Sequence, residues 1–123
     1  MSYKKNTGLK RIICAAGYSA KGFAAAWRHE AAFRQEILFC IILLPILTVV
    51  EISAVERLLL FGSLMLVLIV ELLNSALEAV VNLVSPEWHT LAGRAKDLGS
   101  AAVLASLIFA AICWGGILVP LLF

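Results

Sequence analysis

Three apolar runs dominate the chain, at 37–50, 58–84 and 98–120, with short polar stretches between them. The first is about 21 Å of helix, short for a hydrocarbon core of about 30 Å. It therefore extends back toward Ala31 and places Arg34, Gln35 and Glu36 in the headgroup region, with Pro45 expected to kink it. The second run exceeds what a bilayer needs, so its polar end emerges into water. The third carries Trp114, expected as an interfacial anchor. Ahead of them, Leu9, Ile12, Ile13, Ala16, Ala20, Phe23 and Trp27 repeat at helical period, with Lys10, Gly17, Lys21 and Arg28 opposite. No soluble core is available for that stripe, so the pattern predicts a helix lying in the membrane plane with its basic face outward. The expected architecture is all-α and integral to the membrane: a surface helix at about 8–28, then transmembrane helices at about 31–50, 58–84 and 98–120, in a single domain over 1–123.

Composition agrees. The chain is 63% hydrophobic and 15% charged, against about 25% charged in soluble domains. A net charge of +2 is too small to suggest nucleic acid as a partner. The placement of charge says more than its sum. Lys4, Lys5, Lys10, Arg11, Lys21, Arg28 and Arg34 precede the first span, and Arg94 and Lys96 lie between the second and third. The loop between spans one and two holds Glu51, Glu56 and only Arg57. The positive-inside rule then puts the N-terminus and the second loop in the cytoplasm. No cleavable signal peptide is expected, because the first long apolar run starts only after Glu36. Cys14, Cys40 and Cys113 lack metal-ligand spacing and read as small apolar fillers.

Glu71, Asn74 and Glu78 interrupt the second run. A charge at bilayer depth costs about 3 kcal/mol on the insertion scale. Their spacing places all three on one helix face. In the inferred topology Glu71 lies deeper, and Glu78 lies about 10 Å nearer the cytoplasmic surface. Asn82, Glu87, His89, Arg94, Lys96 and Asp97 follow on that side, and Glu30 reaches the same surface from before the first span. Two carboxylates, Glu30 and Glu78, with phosphate oxygens make a magnesium site. Lys96 and Arg11 are placed to neutralise phosphate charge. The deeper Glu71 is placed to take a proton from a lipid hydroxyl, with Asn74 orienting a carboxylate or a metal-bound water. The alternative, interhelical hydrogen-bond glue, stays open for each of the three. By the same plain reading His89 is a solvated loop residue, Glu36, Glu51 and Glu56 are headgroup-region or loop charges, and Ser100 is a small packing residue. Neither a P-loop nor a kinase Gly-rich loop occurs.

The run Glu71-Leu72-Leu73-Asn74-Ser75-Ala76-Leu77-Glu78-Ala79-Val80-Val81 resembles the signature of the small integral-membrane diacylglycerol kinases of bacteria. So do Ala15-Ala16-Gly17-Tyr18-Ser19, Glu30-Ala31-Ala32-Phe33-Arg34-Gln35-Glu36 and Gly93-Arg94-Ala95-Lys96-Asp97-Leu98-Gly99-Ser100-Ala101-Ala102, in order and at matching spacing. The resemblance implies a homotrimer in the bacterial inner membrane with active sites shared between subunits. It implies transfer of the ATP γ-phosphate to diacylglycerol, giving phosphatidic acid. By likeness Glu71 is the general base, and Glu30 and Glu78 bind the magnesium of MgATP. Arg11, Tyr18, Glu87, His89, Lys96 and Asp97 match positions at the nucleotide. Ala16, Ser19, Phe33, Arg34, Gln35, Glu36 and Ser100, with Arg11 and Glu71, match the lipid site. The chain departs from the pattern at Trp88, where tyrosine is common, at Asn82, where aspartate is common, and at Ala20, which replaces a bulkier aromatic. A related branch phosphorylates undecaprenol, and the Ala-Phe-Arg-Gln-Glu element at 32–36 favours the diacylglycerol branch. The non-enzymatic rival is a small oligomeric ion or proton channel, for which only Gly62 and Ser63 would line a path through 58–70.

Overall fold

Among the described residues, five helices follow from where the chain can and cannot keep its backbone hydrogen bonds. In a computed structural model, which describes residues 7–123, they are α1 (Gly8–His29), α2 (Ala31–Leu43), α3 (Ile46–Val49), α4 (Ala54–Val84) and α5 (Thr90–Leu122). Lys4 and Lys5, counted above toward the cytoplasmic N-terminus, lie outside the described residues. Three stretches are long and apolar enough to cross a membrane: Ala31–Val49, Ala54–Val84 and Thr90–Leu122. Their outward side chains, among them Leu38, Ile41, Leu58, Ile108 and Ile112, are large, apolar and exposed. Such a surface belongs in lipid or against other chains.

The breaks have local causes. α1 ends at Glu30, whose backbone is extended (φ −116°, ψ 104°) and which also opens α2. Arg34, one turn into α2, donates from Nη1 to the carbonyls of Trp27 (2.7 Å) and Arg28 (3.3 Å). It thereby satisfies two carbonyls that the end of α1 leaves unpaired. Pro45 has no N–H, and the helix of the first span is interrupted at Leu44–Pro45 before α3 resumes it. α4 starts with a capping box. Ser53 Oγ accepts from the Glu56 amide and Glu56 Oε1 from the Ser53 amide, both at 3.1 Å. Glu56 is therefore a helix-starting residue rather than a loop charge. Arg57 donates to the carbonyls of Val50 and Ile52 and ties down the turn before it. α4 stops at Val84, just ahead of Pro86. α5 begins at Thr90, eight residues before the apolar run at 98, because His89 caps it: its Nδ1 accepts from the Leu91 amide at 3.1 Å.

α4 and α5 form an antiparallel pair, since Asn74 and Leu77 meet Gly99 while Leu60 and Ser63 meet Trp114. α2 and α3 pack on α4, and Cys40, Leu47, Leu60, Leu64 and Trp114 form the core. Trp114 thus sits inside the helix pair, not at the interface as its sequence position led us to expect. It is 9% exposed, and its Nε1 donates to Ser63 Oγ (3.1 Å) and toward the Leu60 carbonyl (3.3 Å). An indole with a buried partner needs no aqueous layer for its N–H.

Candidate active site

Glu71 faces inward from α4 and is only 4% exposed. The charges of Glu30 and Glu78 act on its carboxylate, and its own charge acts on Glu36, one turn and a half into α2. Ser75, one turn after Glu71 on α4, places its hydroxyl beside that side chain. Asn74 Nδ2 donates to Glu78 Oε1 at 3.4 Å. Four carboxylates thus gather where α1, α2 and α4 meet. Like charges held together away from bulk water are costly unless a proton or a cation offsets them.

Among the described residues no three His, Cys, Asp or Glu side chains converge closely enough to hold a metal by themselves. The donor set still fits magnesium, a hard cation that takes one or two carboxylates and completes its shell with phosphate oxygens and water. Glu30 and Glu78 are the pair available for that role.

A cleft of 590 Å³ opens beside these groups between α1 and α4. Ser19, Phe23, His29, Glu30, Ser75 and Ala79 are among its lining residues. Its volume falls in the range of small-molecule sites. An apolar cavity of 240 Å³ lies between α2, α4 and α5, bounded by Cys40, Leu64, Leu107 and Trp114, with Glu36 on its wall. Glu36 Oε2 is buried there without a hydrogen-bond partner. Glu36 accordingly belongs to the carboxylate group and is no mere headgroup charge.

The remaining candidates are placed unevenly. Ser19 lines the cleft, while Arg11, Ala16 and Tyr18 stand exposed along α1 outside its lining. Phe33 is buried at 4% exposure beside a groove it shares with Trp27, Arg34 and Ile37. Gln35 is exposed, and the Arg34 guanidinium is engaged by the α1 carbonyls. Glu87 is exposed in the 85–89 loop, and His89 serves as the α5 cap. Lys96, Asp97 and Ser100 are exposed on α5. One chain therefore unites Glu30, Glu36, Glu71, Asn74, Glu78 and Ser19, and leaves the basic and α5 candidates apart. Ser75 and His29 were not singled out from sequence. Ser75 stands four residues after Glu71, so the shared helix face was the available signal.

The family model described as prokaryotic diacylglycerol kinase matches residues 17–118. The chain belongs to that family. It is 56% identical over 108 residues to the diacylglycerol kinase of Escherichia coli (strain K12), covering 88% of each chain. It is 50% identical over 116 residues to that of Pseudomonas aeruginosa, 94% of each. With that of Helicobacter pylori (strain J99) identity is 42% over 122 residues, 97% of this chain and 93% of the relative. A diacylglycerol kinase function follows for this family member.

Proposed function

We propose that the chain transfers the ATP γ-phosphate to the free hydroxyl of diacylglycerol at the cytoplasmic face of the bacterial inner membrane, as a homotrimer with its N-terminus in the cytoplasm. The observation that carries the reading is the buried Glu71 carboxylate, with Ser75 beside it and the charges of Glu30, Glu36 and Glu78 coupled to it, next to a cleft. Phosphoryl transfer depends mainly on positioning and on neutralising charge. Glu71 orients the lipid hydroxyl and takes its proton. The hydroxyl oxygen bonds to the γ-phosphorus as the bond from that phosphorus to the bridging oxygen breaks, and ADP leaves with the electron pair. Glu30 and Glu78 would hold magnesium, with Asn74 keeping Glu78 oriented. When bound, that cation offsets charge on the β- and γ-phosphates. Arg11 and Lys96 add positive charge at the nucleotide, with Tyr18, Glu87, His89 and Asp97 bordering it. Ala16, Ser19, Phe33, Gln35, Glu36 and Ser100 border the lipid.

The test is Glu71→Gln, which removes the proton acceptor and keeps the shape. We expect kcat to fall about a thousandfold or more while the protein stays folded with unchanged oligomeric state. Kinase activity like that of the unaltered protein would end the assignment. Transfer of ³²P from labelled ATP into diacylglycerol and undecaprenol, with and without magnesium, separates this reading from the undecaprenol branch. A pore is disfavoured by Ser63, which is 0% exposed and bonded to Trp114 and to its own helix.

A further inference from the structure

Gly99 is buried in α5 at the point where that helix meets α4. A Cβ on it would overlap Asn74 Oδ1, and would lie 3.3 Å from Asn74 Cγ and 3.6 Å from Leu77 Cδ2. No other glycine is so constrained within the chain. A Cβ on Gly93 would meet only Trp88 Nε1 at 3.8 Å, and the rest would meet nothing within 4 Å. Asn74 Oδ1 is buried and has no hydrogen-bond partner. The amide is thus held by contact, its oxygen against the α5 backbone and its nitrogen turned to Glu78.

The consequence is mechanical. A side chain at 99 must push the Asn74 amide away, and Leu77 blocks part of the space around it. Asn74 then leaves its rotamer or swings off Glu78. The bond to Glu78 Oε1 is already long at 3.4 Å, so a small displacement breaks it. We infer that Gly99 is a positioning residue of the active site, whose missing side chain lets α5 press Asn74 into the orientation that fixes the Glu78 carboxylate. Its link to metal rests on the proposal that Glu78 holds magnesium; its link to Asn74 does not.

The test compares Gly99→Ala, Asn74→Ala, the double variant and Glu78→Asp in the full-length protein in bilayers. One readout is Mn²⁺ binding in the presence of a non-hydrolysable ATP analogue, followed by electron paramagnetic resonance. The other is kcat together with KM for diacylglycerol. Gly99→Ala should weaken Mn²⁺ binding about tenfold, as loss of a group orienting a ligand does, and lower kcat without moving KM for diacylglycerol. Asn74→Ala should do the same. The double variant should be no worse than Asn74→Ala in either readout, because the group Gly99 accommodates is gone. Losses that multiply in the double variant would overturn the inference, as would a Gly99→Ala protein with unaltered Mn²⁺ binding and kcat. Should Gly99→Ala not fold, the double variant decides. Folding with the properties of Asn74→Ala supports the inference, and failure to fold shows that Gly99 acts through helix packing alone. If Glu78→Asp leaves Mn²⁺ binding untouched, the magnesium role of Glu78 falls, and the kcat coupling of Gly99 to Asn74 still settles the positioning role.

Discussion

Glu71 is buried at lipid depth with a hydroxyl of its own helix beside it. Ser75 supplies that hydroxyl, and a hydrogen bond to a charged group contributes about 1.5–3 kcal/mol. Ser75→Ala should therefore lower kcat about tenfold or more and leave KM for ATP in place, as steady-state kinetics in mixed micelles would show. An equal loss in a Glu71→Asp background would argue that the two residues act separately. The sequence made Glu71, Asn74 and Glu78 visible because polar residues in an apolar run have no bland explanation as lipid-facing groups. Ser75 was not visible for the opposite reason. A helical serine in a membrane usually bonds its own backbone, as Ser63 does to the Leu60 carbonyl and Ser106 to that of Val103. Only its place four residues after Glu71, on the same helix face, separates Ser75 from those two.

At the scale of elements, two side chains hold the helices in register. Arg34 closes the corner between α1 and α2, which also carries Glu30. Arg34→Ala should free the last turn of α1. We expect faster amide exchange at Trp27–Glu30 and a kcat loss of about tenfold, equivalent to about 1.4 kcal/mol. Arg34→Lys should recover part of both, since a lysine supplies one point donor where arginine presents a fork. Exchange at that corner unchanged by Arg34→Ala would show that the corner holds without it. Trp114 joins α5 to α4 through Ser63 and Leu60. Trp114→Phe keeps a ring and removes the donor, so it should lower stability by about 1 kcal/mol with activity retained, measured by unfolding in mixed detergent. The three spans and their order were legible from apolar run length, α1 from its stripe at helical period, and the break that sets off α3 from Pro45 and its missing N–H. The burial of Trp114 was not legible. An aromatic near a span end reads as an interface anchor, and only the fold reveals Ser63 opposite it. The early start of α5 was hidden likewise, because a cap by a histidine leaves no hydrophobic trace.

The whole molecule poses the question that a single chain leaves unanswered. Glu71 faces the α2 side of its own subunit, while Asp97 is exposed on α5. Gly99 marks the side of α5 that meets α4, and Asp97 lies about 160° round the helix from it. Asp97 therefore points away from the helix that carries Glu71 in the same chain. If it serves the nucleotide, it serves a site whose Glu71 belongs to a neighbour. That arrangement makes a numerical prediction for mixed oligomers. Glu71→Gln and Asp97→Asn proteins, each inactive alone, would be unfolded together and refolded at equal amounts. A site built from two different subunits is intact when the first carries only the Asp97 change and the second only the Glu71 change. Random assembly makes that happen about a quarter of the time, so the mixture should regain about a quarter of the activity of the unaltered protein. A site built within one subunit always contains one of the two lesions and regains nothing. Activity that stays at the level of the separate variants would place the complete site in one chain and remove the reason for the carboxylates of α1, α2 and α4 to be parted from the charges of α5.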